Sequence, residues 1–323
     1  MVKIRNDISA ENIEMRQVYC SSLIEAAKKD PKIVTVDCDL SSSCGTKDFS
    51  IMFPERSFNV GIAEQNGCAM AGGLAASGLK PFFHSFAVFS SRRVYDQIFI
   101  SCAYARQNVK IVGCDPGITA ENNGGTHMAF EDVGILRAVP EVTIVEPTDT
   151  VMLKNLLPKI VDTNGLFYIR LMRKKAVGIY DNGSDFVIGK AAQLRSGNDV
   201  TIIAAGIEVA EALKAADQLK AEAISARVID MFTIKPLDKE CVLACARETG
   251  AIVTAENGNI IGGLGSAVAE VLSENLPTPL ERVGVRDCFG QVGSIGFLKE
   301  KYGLTAEVIA EKARIAISRK TRQ

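Results

Sequence analysis

A single carboxylate, Glu64, stands where the run Phe58-Asn59-Val60-Gly61-Ile62-Ala63 gives way to small residues, Gly67-Cys68-Ala69-Met70-Ala71-Gly72-Gly73-Leu74-Ala75-Ala76. The pattern predicts a short buried strand leading into a closely packed helix, with the acid in its first turn. Partial desolvation there raises a carboxyl pKa and suits the group to proton transfer. The plainer role, complementing the helix dipole, requires no chemistry. Two phenylalanines, Phe86 and Phe89, stand three apart where another strand ends, and one of only two histidines, His127, follows Gly124-Gly125-Thr126. Aromatics at that spacing serve equally as core or as a stacking surface. The nine cysteines form no CxxC pair. Cys241 and Cys245 lie one helical turn apart, but neither His84 nor His127 has a partner at ligand spacing, so no metal held by this chain is expected. The thiols read as reduced and buried.

The elements that must position these groups alternate between helix and strand. At 323 residues the chain suggests two domains. Its 47% hydrophobic and 23% charged content and net charge of −1 describe an ordinary α/β protein with no basic excess for nucleic acid. A basic tip, Arg319, Lys320 and Arg322, is short. Residues 1–9 are charged and lack the apolar core of a secretory signal, and no apolar run spans a bilayer, so a cytoplasmic location is expected. In the first half, helices are predicted over residues 10–29, 90–106 and 150–161, with strands over 33–36, 80–84, 109–113, 142–145 and 166–172. Strands apolar throughout, alternating with helices, indicate a parallel sheet covered on both faces. Residues 176–190 read as a linker between a domain over 1–175 and a smaller α/β domain over 191–323, so the fold class is two doubly wound domains. The second half is predicted to hold strands over 200–205, 225–230, 251–256 and 280–285.

Ligands of open parallel sheets bind beyond the carboxyl ends of the strands. Three polar loops fall there, over residues 37–46, 84–91 and 114–127, beside the Glu64 turn. The turn Gly262-Gly263-Leu264-Gly265 offers a helix N-terminus to an anion, but tight helix–sheet packing explains it better, and no Lys-Ser/Thr follows as a P-loop requires.

Taken in order, Gly61-Ile62-Ala63-Glu64-Gln65-Asn66, the segment from Phe82 to Phe89, Gly124-Gly125-Thr126-His127 and Asp230-Met231-Phe232-Thr233-Ile234-Lys235-Pro236-Leu237-Asp238 resemble transketolase. Ala255-Glu256-Asn257 and Ile261-Gly262-Gly263-Leu264-Gly265-Ser266-Ala267 add to the match. The resemblance covers essentially the whole chain and corresponds to the pyrimidine-binding and C-terminal domains of a full-length transketolase. It implies thiamin diphosphate as cofactor, for which a protein supplies binding, orientation and electrostatics. Glu64 matches the carboxylate that favours the imino tautomer of the aminopyrimidine, whose nitrogen then takes the proton from the thiazolium carbon. Phe86 and Phe89 match the aromatics that stack on that ring, and His127 the histidine that hydrogen-bonds the substrate near the reacting carbon. Asp39 matches an acid lining the cofactor cavity, although a loop-capping role also suits it. Arg16, Ser43 and Arg173 fall where the family binds the sugar phosphate, with Arg170 and Lys174 able to share the role of Arg173.

The chain departs from the family pattern in two places. Cys114, before Asp115, stands for a phosphate-contacting histidine, and Asn123 for the acid that reads a sugar hydroxyl. An amide still donates and accepts toward a hydroxyl. No Gly-Asp-Gly occurs, the motif by which this cofactor class holds magnesium and diphosphate. The resemblance therefore implies half of a cofactor site. A separate N-terminal subunit would carry the divalent ion and the diphosphate end, and self-association through the first domain would give an α2β2 split transketolase, inactive as a lone chain. Its reaction would pass a two-carbon ketol unit from a ketose phosphate to an aldose. A 1-deoxyxylulose-5-phosphate synthase-like enzyme and the β subunit of a 2-oxoacid dehydrogenase share parts of the pattern. A non-catalytic assembly partner would predict a broken Glu64 or His127, and both are present.

Overall fold

A computed structural model describes residues 2–320; Met1 and the tip residue Arg322 lie outside the described residues. Twelve strands form two sheets: β1 Ile33–Asp37, β2 Ser57–Asn59, β3 Lys80–Phe86, β4 Lys110–Cys114, β5 Thr143–Val145, β6 Phe167–Leu171, β7 Ala192–Arg195, β8 Val200–Ala204, β9 Ala226–Asp230, β10 Thr233–Lys235, β11 Ile252–Asn259 and β12 Leu280–Val285. The first sheet has the order β10-β5-β6-β4-β3-β1-β2, parallel except for β10; the second has β12-β11-β8-β9-β7, parallel except for β7. Strands β1, β4, β6, β8 and β9 are buried along their whole length, as the unbroken Val/Ile runs require of a sheet covered on both faces. The fold is the two-domain α/β arrangement read from the sequence, with seven strands in one sheet and five in the other.

The register aligns the strand ends. Asp37 pairs with Asn59 and with His84, Phe86 with Cys114, and Cys114 with Leu171. The loops that follow β1, β2, β3, β4 and β6 therefore emerge along one edge, where ligands of such sheets bind.

Several local expectations are corrected. The first helix runs Met15–Lys29, not from residue 10: Glu14 and Gln17 close a reciprocal capping box. Ahead of it, Ile4 and Ala10 form bridges with Tyr180 and Val177. The segment read as a linker thus packs back on the first domain, and the buried carboxylate of Asp149 takes the amides of Ile179 and Tyr180 at 2.8 Å each. No continuous amphipathic α-helix spans 90–106. A 3-10 turn at Arg92–Val94, one α turn at Tyr95–Gln97 and a π-helix at Ile98–Tyr104 take its place. This segment lies against the Glu64–Ala76 helix so closely that a Cβ on Gly72 would sit 2.8 Å from the Ser101 carbonyl oxygen. The second half also sends β10 across to β5, adding a strand to the first sheet. Lys235, on that strand, donates Nζ to the carbonyl of Arg137 at 2.8 Å.

Candidate functional site

Glu64 opens the Glu64–Ala76 helix, is only 4% exposed, and has its carboxylate at the rim of the strand-end edge. Its carboxylate pairs with Arg93, whose Nη1 donates to Oε1 at 2.8 Å. The Arg93 guanidinium also lies over the Phe89 ring, 3.8 Å from the centroid. Phe89, Phe86 and His127 form an aromatic trio: His127 meets Phe86 at 5.6 Å and Phe89 at 5.2 Å between centroids, edge-on to both, and the two phenylalanines are 6.3 Å apart. On the far side the Arg173 guanidinium stands 4.8 Å from the Phe86 centroid and donates its Nε to Asp115. Glu64, Arg93, Phe89, His127, Phe86 and Arg173 thus form one continuous shelf. A carboxylate, an aromatic platform and an imidazole half open to solvent can orient a planar nitrogen heterocycle and hold a proton beside it.

His127 is placed by its loop. Its amide donates to the carbonyl of Gly124, and its Nδ1 faces Thr126 Oγ1 at 2.9 Å. Gly124 has φ +76°, a conformation that L side chains rarely adopt. A Cβ on Gly125 would lie 2.2 Å from the carbonyl oxygen of Gly290, so the terminal domain presses directly on this loop. Asn257 does the same further along, accepting from the Ile118 amide and donating to the Pro116 carbonyl, both at 2.9 Å. The Ala255-Glu256-Asn257 motif therefore steadies the loop that carries His127.

The remaining candidates stand apart from the trio. Asp39 is exposed, with φ 60°, and is tied to Asn59, whose side chain takes the Asp39 amide at 3.0 Å and the Gly61 amide at 3.0 Å. Arg16 donates Nε to Glu14 at 2.7 Å and Nη1 to the Ser43 carbonyl at 3.2 Å, joining the first helix to the turn that holds the half-buried Ser43. Asn123 is exposed at the end of the 117–123 turn.

Two sequence readings change. Arg170 cannot share the role of Arg173: it is buried and bonded to Asp132 (2.8 Å), Glu146 (2.6 Å) and the Asn257 carbonyl (2.9 Å). Cys114 is fully buried at the end of β4, with Cys44 and Tyr19 for neighbours, so its thiol is closed off from a ligand that a phosphate-contacting group would reach. The same floor holds His84, whose Nε2 meets Tyr19 Oη at 2.7 Å and whose pKa burial pushes down. The Gly262–Gly265 turn is occupied from within, since Glu256 accepts from the amides of Leu264 (2.7 Å) and Gly265 (2.8 Å). Burial lifts that carboxyl to about 7, and the two amides oppose the rise. Among the described residues no cluster of ligating side chains suits a metal ion, and no helix is long and apolar enough to cross a membrane.

Arg93 went unread in the sequence. Two adjacent arginines look like solvated charge, and only the fold brings the second to a carboxylate 29 residues away.

Family models confirm what these motifs resemble. The transketolase pyrimidine-binding domain matches residues 11–177, and the transketolase C-terminal domain matches residues 189–309. The chain is 52% identical over 314 residues to a 6-deoxy-6-sulfo-D-fructose transketolase subunit of Clostridium sp. (strain MSTE9), covering 97% of this chain and 98% of that one. It is 44% identical to a putative transketolase C-terminal section of Methanocaldococcus jannaschii, covering 92% and 94%. A 1-deoxy-D-xylulose-5-phosphate synthase of Heliobacterium modesticaldum is 38% identical, but the match spans only 46% of its length. Among solved structures, a split gene transketolase described as an inactive beta4 tetramer superposes with TM-score 0.87 at 42% identity, over 96% of this chain and 100% of that one. The chain belongs to the transketolase family.

Proposed function

We propose that this chain is the C-terminal subunit of a split transketolase, which transfers a two-carbon ketol unit once a separate N-terminal subunit joins it. The supporting observation is the shelf: one buried carboxylate and two aromatic rings set beside an imidazole. These residues fit the aminopyrimidine half of thiamin diphosphate. The contact that Arg93 makes, stacked on Phe89 and bonded to Glu64, supports this reading, since a guanidinium is itself a planar N–H donor. Thiamin diphosphate, when bound, supplies the electron sink for breaking a carbon–carbon bond beside a ketone. Glu64 holds the proton at the ring nitrogen, Phe86 and Phe89 carry the ring, and His127 donates or accepts at the substrate oxygen through Nε2. Asp39 lines the cavity wall. Arg173, Arg16 and Ser43 take the anionic end of the donor sugar, and Asn123 reads a hydroxyl. The first relative's name points to a sulfonated ketose as donor, and a phosphorylated one presents a similar oxyanion.

The diphosphate and its divalent ion would rest on the partner subunit, in an α2β2 assembly in the cytoplasm. The split architecture of the relatives favours this reading over a synthase or dehydrogenase activity. The test mixes the purified chain with a transketolase N-terminal-type chain and thiamin diphosphate, and offers 6-deoxy-6-sulfo-fructose and xylulose 5-phosphate as donors. Activity should need both chains, and Glu64→Gln should lower kcat by about 10²–10⁴. Full activity from the lone chain, or from Glu64→Gln, would overturn the proposal.

A further inference from the structure

We infer that Arg93 is a gate on the cofactor's seat: its guanidinium makes the two contacts that an aminopyrimidine needs here, and it must swing aside before the ring can bind. The inference rests on the function proposed above.

A guanidinium is flat and delocalised, with N–H donors at its edge. That of Arg93 stacks 3.8 Å from the Phe89 centroid and donates to Glu64 Oε1 at 2.8 Å. An aminopyrimidine needs an aromatic face beneath it and a carboxylate oxygen beside its ring nitrogen. One face of Phe89 cannot carry two planar groups at once, and a ring nitrogen bonded to Glu64 Oε1 would have to share that oxygen with the guanidinium. The exposures fit a moving part against a fixed one, with 42% of the Arg93 side chain open to solvent against 4% for Glu64. Arg93 leaves from the short Arg92–Val94 turn, and its neighbour Arg92 already points outward to Glu131 at 2.7 Å.

The contact also has a use in the lone chain. A carboxylate as buried as Glu64 is costly to leave unpaired, and Arg93 partners it until a ring arrives. The gate is weak by construction. A half-exposed ion pair and an exposed cation–π contact each contribute little, so displacing both should lower cofactor affinity by only a few-fold to about tenfold.

The experiment titrates thiamin diphosphate with magnesium into the assembled two-subunit complex by calorimetry, for wild type, Arg93→Met and Arg93→Lys. Arg93→Met, which keeps the stem and removes the planar charge, should bind several-fold more tightly, with Arg93→Lys in between. Thermal unfolding of each lone chain provides the second readout. Arg93→Met should melt below wild type, because Glu64 is then left unpaired. Equal or weaker cofactor binding by Arg93→Met, with wild type binding, would overturn the gate and make Arg93 a bystander or a ligand. If neither chain binds the cofactor, the proposed function fails and the gate with it. Binding by Arg93→Met alone supports the gate in its strongest form.

Discussion

Arg170 and Arg173 stand three residues apart on the same stretch of chain, and the fold puts them to opposite uses. Arg170 lies at the boundary of the two domains with its guanidinium fully committed, to both oxygens of Asp132, to Glu146 and to the Asn257 carbonyl. Burial opposes its charge, and Asp132 and Glu146 more than offset that, so it stays protonated. Arg173 has one side-chain partner, Asp115, and faces Phe86 with part of its surface open. The same contrast separates the regions around them. Around Arg170 the polar groups are saturated and the geometry is fixed. On the shelf, Glu64, Arg93 and Arg173 each have a single side-chain hydrogen-bond partner, which an incoming group can replace. A binding site needs such replaceable partners, and a hinge that must not move needs the opposite.

The largest test of this contrast is Arg170→Met. It leaves Asp132 and Glu146 buried without their cation and should cost about 3–5 kcal/mol, read as a fall in the denaturant midpoint. Arg173→Met should cost only about 1–2 kcal/mol, because Asp115 still accepts the backbone amide of residue 173 at 3.0 Å. Its loss should appear instead as a raised KM for the donor sugar in the assembled enzyme. Equal destabilisation by the two substitutions would erase the distinction. An effect below that of Arg170→Met is expected for Asn257→Ala, which removes two hydrogen bonds at the domain boundary, each partnered by buried backbone. It should lower stability by about 1–3 kcal/mol. Because the loop it holds leads to His127, kcat should fall more than KM rises. A stability loss with kinetics unchanged would show that the terminal domain does not steady the site.

The sequence made the buried strands legible, because β1, β4, β6, β8 and β9 are built on short apolar runs and are buried along their whole length. It also marked the strand-end loops and the shelf residues Glu64, Phe86, Phe89 and His127, which the fold brings into one row. The strand ahead of Glu64 is legible too, although β2 is shorter and less buried than its apolar run suggests, and the short strands β7 and β10 were hidden. Three or four residues carry little periodicity, and β10 exists only because β5, from the other half of the chain, pairs with it. The 90–106 segment has helical spacing, but spacing does not reveal a π-helix. The partnership of Arg93 with Glu64 and the burial of Arg170 depend on contacts distant in sequence, and charge type alone cannot tell a solvated arginine from a buried one. Cys114 illustrates the same limit: alignment with a family histidine says nothing about which way the side chain points.

Not every polar group at the domain boundary is so well partnered: Asp230 Oδ1 and both Glu208 oxygens have no partner among the described residues, and Glu208 permits the finest test. Glu208 begins the Glu208–Ala221 helix, is fully buried, and neither carboxylate oxygen has a partner among the described residues. Lys299 bonds Glu211 at 2.7 Å instead. Burial lifts the Glu208 carboxyl from 4.5 to about 8; Lys299 opposes the rise, while Glu211 and Glu146 add to it. The folded chain thus keeps this acid protonated at neutral pH, whereas the unfolded chain releases the proton near its ordinary value. Between those two values the folded state binds more protons. The stability that Glu208 contributes is therefore present in full below about pH 4.5 and is lost as pH rises toward about 8. Glu208→Gln, neutral at every pH and similar in shape, removes that loss. Wild type and variant should have similar denaturant midpoints at about pH 5, and the variant should be more stable by about 1–2 kcal/mol at about pH 8, less than the full shift because water and side-chain relaxation reach a strained buried acid. A difference between the two chains that stays constant across that range would mean that Glu208 finds a partner in solution.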